Sequence, residues 1–143
     1  MMAKRTGSAQ WKGGLQDGTG TVSTETGVLD NTPYSFTSRF EEGKGSNPEE
    51  LIGAAHAGCY SMALSAELGE DGYTPNSIDT TDKVHLVKKN DGFAISKIEI
   101  HTEADIPNID ENTFLKYAEA AKKGCPVSKA LAGVEFELHA TLK

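Results

Sequence analysis

The sequence holds two cysteines, Cys59 and Cys125, far apart in the chain. Cys59 lies in AGCYSMAL, in the middle of an expected helix and on its apolar stripe, where a free thiol commonly behaves as a small hydrophobe. Cys125 sits between Gly124 and Pro126, where one helix stops and another starts. A packing residue has no need of that setting, and the free N–H groups and dipole of a helix start favour thiolate. Local physics therefore makes Cys125 the more acidic thiol. Cys59, raised by burial, needs a cation such as Arg39 or Lys44 brought to it by the fold. Two thiols suffice for peroxide chemistry: a thiolate attacks a peroxide oxygen, and the sulfenic acid formed condenses with the second thiol to a disulfide. His56, three residues before Cys59, is a candidate base or metal ligand, but the commoner role is that of a satisfied structural histidine. His85, His101 and His139 fall on strands and read as solvated. Gly58 costs about 0.5–1 kcal/mol in a helix interior relative to alanine; it leaves room beside the sulfur for a substrate or for the partner thiol.

These residues must be positioned by the elements around them. WKGGLQDGTGTV reads as a hairpin between Trp11 and Val22. In PYSFTSRF, Tyr34 and Phe36 alternate with Ser35 and Thr37, which predicts a short strand delivering Arg39 at a sheet edge. From Asn47 a long helix starts, with Asn47 as cap, Pro48 at the first position and Glu50 able to reach back; it stops between Gly69 and Gly72. Ile52, Ala55, Cys59, Met62, Ala63 and Ala66 recur at three- and four-residue steps, which predicts one buried stripe. Its small residues, Gly53, Ala54, Ala55, Ala57 and Gly58, let another backbone come close. Two strands follow around an Asn-Asp-Gly turn, with Ile98 and Ile100 on one face and Lys97, Glu99 and His101 on the other. A second helix, capped by Asp110, carries Phe114, Tyr117, Ala118 and Ala121 inward and stops at Gly124. After a short helix from CPVSKAL, the chain closes with a strand that turns Val134, Phe136, Leu138 and Ala140 inward. This order predicts a single α+β domain over residues 1–143, with two main helices on a mostly antiparallel sheet.

Composition narrows the function classes. The chain has 143 residues, of which 14 are Lys or Arg and 21 Asp or Glu, for a net charge of −7. With no basic block, it offers little to a phosphate backbone, so no nucleic-acid partner is expected. No apolar run of membrane-spanning length occurs, and the first residues lack a secretory pattern, which points to a cytoplasmic protein without a membrane partner. Two cysteines in a reducing compartment are inert thiols or a redox or metal pair.

The stretches GTVSTETGVLDNTPYSFTSRFEEGKGSNPEELIGAAHAGCYSMAL and AKKGCPVSKAL, with TPNSIDTT between them, closely resemble the OsmC/Ohr family of thiol-dependent peroxidases. The resemblance runs over nearly the whole chain and includes both cysteines. It implies reduction of organic hydroperoxides by a cysteine pair, with no metal or flavin cofactor. It implies further that Cys59 is the peroxidatic thiol and Cys125 the resolving one, and that Arg39 and Glu49 match the family's arginine and glutamate. The family fold is an intertwined homodimer with sites at the subunit interface, and relatives draw electrons from dithiols, including lipoyl groups on carrier proteins. Relatives often carry alanine at the position of Gly58.

In those roles Arg39 would lower the pKa of Cys59 and stabilise charge on the peroxide, while Glu49 would hold the guanidinium by a bidentate pair that lysine could not make. Ten residues of helix, about 15 Å, separate Glu49 from Cys59, so Glu49 would act through Arg39 or across a subunit boundary. Taken without the resemblance, Glu49 equally suits the helix dipole, and Arg39 suits a surface ion pair with Glu41 or Glu42. The peroxidase reading places an apolar pocket at Leu51, Ile52, Met62 and aromatic side chains. Two other classes stay open: a non-enzymatic zinc protein using Cys59, Cys125 and His56, and a small-ligand binder with inert thiols.

Overall fold

In the computed structural model, which describes residues 2–143, the glycine-rich turn at 13–18 folds β1 (Gly7–Lys12) antiparallel onto β2 (Thr19–Thr24), as expected, with Trp11 opposite Gly20. β3 (Thr32–Tyr34) pairs with the other edge of β2. Gly20 is needed there, because a Cβ would meet the Tyr34 ring at 2.5 Å and the Trp11 ring at 2.6 Å.

The expected strand ends at Tyr34. Phe36–Phe40 is instead a short helix, α1, with Arg39 in its last turn. Local hydrogen bonding overrides the alternation: the Ser35 side chain accepts from Ser38 N–H at 3.2 Å, and Ser38 Oγ accepts from Ser35 N–H at 2.8 Å. Ser38 Oγ lies 2.8 Å from the Ser46 carbonyl, and Asn47 Nδ2 donates to the Ser38 carbonyl at 3.1 Å. These bonds tie α1 to the start of the long helix α2 (Pro48–Glu70), which Asn47 caps by accepting from Glu50 N–H at 2.8 Å. The Glu50 side chain is exposed.

The chain divides into two compact units, residues up to Leu51 and Ile52–Lys143. In the second, β4 (Ser77–Lys89) and β5 (Gly92–Asp105) form the expected hairpin, with Gly92 at φ +116° closing the turn. After α3 (Glu111–Gly124) and α4 (Pro126–Ala130), β6 (Glu135–Leu142) pairs parallel to β5. Among the described residues, β5–β6 is the parallel pairing of named strands, because helices connect those two strands. Asp110 caps α3 by accepting from Thr113 N–H at 2.7 Å. Tyr60, Leu64 and Leu68 of α2 meet Ile100, Ala104, Phe114, Ala118 and Ala121 in one core. The Tyr60 hydroxyl donates to the Ala118 carbonyl at 2.9 Å.

The buried stripe of α2 is displaced from the expected one. Gly53, His56, Tyr60, Leu64 and Leu68 are buried, whereas Ala55, Met62 and Ala66 are exposed and Cys59 is half-buried. The large residues set the phase, since each buries far more apolar area than an alanine. At its end α2 closes through Gly72 at φ +85°, with Tyr73 N–H on the Leu68 carbonyl and Gly72 N–H on the Gly69 carbonyl.

Candidate active site

Cys59 and Cys125 meet. Both are free thiols, with their sulfurs 2.8 Å apart. A disulfide at about 2.05 Å needs only a small further approach. Cys59 comes from the middle of α2 and Cys125, fully buried, from the residue that ends α3 and begins α4. Pro126 at the first position of α4 gives up no hydrogen bond there.

A second contact braces the same two helices one turn away. His56 Nε2 lies 2.7 Å from Ser128 Oγ, and His56 Nδ1 is hydrogen-bonded to Asp82 of β4. The His56 and Asp82 side chains are wholly buried, and the His56 ring stacks on Phe136 at 4.8 Å. Both ring nitrogens are thus taken by oxygen partners, in keeping with a structural histidine. The zinc set of Cys59, Cys125 and His56 would require breaking that arrangement.

Burial pushes the Cys59 thiol above the ordinary cysteine range, and the contact with the Cys125 sulfur adds to the rise. The Val127 backbone N–H, in the first turn of α4, donates to Cys59 and pulls the other way. The helix start expected to serve Cys125 therefore sends an N–H to Cys59. Gly58 is exposed, and a Cβ there would meet open space. Room beside the sulfur is thus not what this glycine provides within the chain.

Arg39 and Glu49 form the expected fork. Arg39 Nε donates to Glu49 Oε1 at 3.0 Å and Nη2 to Oε2 at 3.1 Å. Glu49 is buried in the first turn of α2, and Arg39 is more open, its guanidinium 5.2 Å from the centre of the Phe40 ring. The ion pair with Glu41 or Glu42 gives way to this pairing, because the ties from Ser38 to Ser46 and Asn47 bring the end of α1 to the head of α2. Arg39 also lines a pocket of about 220 Å³ with Trp11, Leu15, Tyr34, Phe36 and Phe40. The lining of this pocket is mostly aromatic, and Leu51, Ile52 and Met62 are not among its residues; Met62 is 76% exposed.

The expected residues thus form two pairs, one in each compact unit. Sequence reasoning missed Asp82, Val127 and Ser128. The serine, in CPVS, lay three residues after Cys125, as His56 lies three before Cys59, and that symmetry was the available signal.

A family model described as OsmC-like protein matches residues 41–139. The chain is 56% identical over 143 residues to the peroxiredoxin OsmC of Escherichia coli strain K12, covering all of this chain and 99% of that protein. Among solved structures it is similar to an organic hydroperoxide resistance protein from Elizabethkingia anophelis, at TM-score 0.72 and 26% identity over the whole of both chains. It is also similar to the organic hydroperoxide resistance protein OhrB of Bacillus subtilis, at TM-score 0.69 and 26% identity over 96% of this chain and 98% of that one.

Proposed function

The chain belongs to the OsmC-like protein family, and on that basis we propose that it is a thiol-dependent peroxidase that reduces organic hydroperoxides in stress defence. The observation that carries this reading is the pair of free sulfurs 2.8 Å apart. Cys59 is the peroxidatic residue. Its thiolate attacks the distal oxygen of ROOH, the O–O bond breaks, and the alkoxide takes up a proton to leave as ROH. The sulfenic acid on Cys59 is then attacked by the sulfur of Cys125; water leaves and the disulfide closes. A dithiol, such as a lipoyl group on a carrier protein, returns both sulfurs to thiols. The sum is ROOH plus two thiols giving ROH, water and one disulfide, and no step calls for a resident cofactor.

Cys59 is aided by the Val127 N–H. Arg39, oriented by Glu49, is assigned the binding of the peroxide oxygens and the charge that develops on them. The aromatic pocket beside Arg39 suits the alkyl or aryl group of an organic hydroperoxide better than it suits hydrogen peroxide.

We further assign residues 1–143 to one domain that works as a homodimer in the cytoplasm. Supporting the dimer is an exposed helix face on which Ala54, Ala55 and Gly58 are small enough to admit a close neighbour and Met62 stands as an exposed large apolar side chain. Thiols held free suit a reducing compartment. A solution mass of twice 15.2 kDa is expected.

The test is a thiol titration with cumene hydroperoxide. Wild-type protein should lose both thiols per chain and form one intrachain disulfide, consuming cumene hydroperoxide faster than hydrogen peroxide. Cys59→Ser should fail at the first step, and Cys125→Ser should complete one turnover and stop at sulfenic acid. Retention of both thiols after equimolar peroxide would refute the reading, and the opposite pattern in the serine variants would reverse the roles.

A further inference from the structure

On the face of the β4-β5-β6 sheet opposite Ile98 and Ile100, three imidazoles and the carboxylates of Glu99 and Glu137 lie side by side. In the parallel β5–β6 ladder His101 is directly opposite His139, and Glu99 is opposite Glu137. The two imidazole rings stack at 4.5 Å with an interplanar angle of 6°. Glu99 Oε1 lies 3.1 Å from His101 Nε2, and its Oε2 lies 2.5 Å from His85 Nε2 on β4. Glu137 Oε1 lies 2.6 Å from His139 Nε2. The three imidazoles lie on the open face of the sheet, in keeping with the sequence expectation, and each also has a carboxylate partner.

We propose that Glu99, His101 and His139 form a binding site for a divalent transition-metal ion of the zinc class, separate from the two thiols. One ligand atom from each of the three lies within 4.8 Å of the others. Ligand atoms around a tetrahedral zinc at 2.0–2.1 Å lie about 3.3 Å apart, so side-chain rotation of about an ångström closes the set. Two imidazole nitrogens with a carboxylate oxygen is a donor set suited to zinc, copper or nickel rather than to calcium or magnesium. Water completes the shell, because the His101 and His139 side chains are 36% and 46% exposed. An open depression of about 530 Å³ lies over both rings.

The neighbours fit a supporting role. His85 holds the second oxygen of Glu99, which fixes the carboxylate for the ion. Lys97 Nζ, 3.3 Å from Glu137 Oε2, already satisfies that carboxylate in part, which makes Glu99 the better anionic ligand. Binding replaces the Nε2 proton of each ring and returns it to the other nitrogen or to solvent, so uptake weakens as pH falls. The strand backbone fixes the spacing of His101 and His139 beforehand, so little ordering is required on binding.

The experiment uses the untagged full chain carrying Cys59→Ser and Cys125→Ser, which removes thiolate ligands. Zn²⁺ is titrated by calorimetry, and Co²⁺ is followed by its visible d–d absorption. One ion per chain is expected, with no thiolate charge-transfer band. His101→Ala and His139→Ala should each weaken binding by at least about tenfold, since loss of a mere supporting partner already costs about 10–100-fold. His85→Ala should weaken it less. His101→Gln and His139→Gln, checked by circular dichroism, provide folded substitutes should the alanine variants unfold. Saturable binding that survives removal of both histidines overturns the proposal. So does the absence of saturable uptake, or uptake that requires Cys59 and Cys125.

Discussion

Replacing Arg39 by lysine keeps a positive charge and removes the fork. Wild-type Arg39 makes two parallel bonds to Glu49, at 3.0 and 3.1 Å. Buried charge-assisted bonds contribute about 1.5–3 kcal/mol each. The arginine side chain here is 37% exposed against 9% for the glutamate, so water competes on one side and the pair is worth about 1–2 kcal/mol. At 1.4 kcal/mol per factor of ten, an orientation lost entirely lowers kcat/KM by roughly 5- to 30-fold. Glu49→Gln keeps the shape and loses the charge, and it should produce a fall of the same size. Because the two residues act as one unit, the Arg39→Lys/Glu49→Gln double variant should be little worse than either single change, a coupling of about 1–2 kcal/mol. The assay is the initial rate of cumene hydroperoxide loss with dithiothreitol as reductant, over a range of peroxide concentrations. If either single variant stays within a factor of two of wild type, or if the two losses multiply, the fork does not orient the guanidinium for catalysis.

Two further outcomes follow from the geometry around Cys59. Ser128→Ala leaves the wholly buried Nε2 of His56 without a partner; it should cost about 1–3 kcal/mol in urea unfolding, or roughly 2–10 °C in Tm. It should also slow closure of the Cys59–Cys125 disulfide after a peroxide pulse, because α4 loses a brace one turn from the sulfur; unchanged stability and closure would remove that role. The raised pKa of Cys59 means that its thiolate fraction, and with it the rate of alkylation by iodoacetamide, should keep rising with pH beyond the ordinary cysteine range. The same shift makes the folded state hold a proton that the unfolded state releases, so reduced protein should lose stability as pH climbs past the unfolded cysteine value. Cys125→Ala removes the neighbouring sulfur whose contact raises the Cys59 thiol and should lower that apparent pKa; an unchanged or higher value would remove that contribution.

How much of this was legible in the sequence depended on whether local or distant contacts decide each feature. The caps at Asn47 and Asp110, the turns at 13–18 and 90–92 and the stop of α2 were all readable, because each is settled within a few residues. The chemistry-bearing residues were readable too, and the fork and the thiol pair both form. The phase of α2 was misread because alanines satisfy two adjacent stripes equally, and Tyr60, Leu64 and Leu68 decide between them only once a sheet exists to receive them. At 34–40 the alternation of aromatics gave a strand, yet Ser35 and Ser38 cap each other and form a helical turn.

Which thiol receives the N–H of the α4 start depends on contacts that no local reading could supply. A helix N-terminus acts on whatever lies beyond its first N–H groups, and a residue in the cap position can itself be turned aside. Cys125 occupies the cap of α4 but makes no side-chain capping bond; its sulfur turns to Cys59, and so does the Val127 N–H. The benefit of the helix start therefore passes to a residue 66 positions earlier in the chain. His56 and Ser128 repeat the same α2-to-α4 crossing one turn on. The short helix thus presents a backbone donor and a second sulfur to the same atom, so a disulfide between Cys59 and Cys125 would close without moving α4 far.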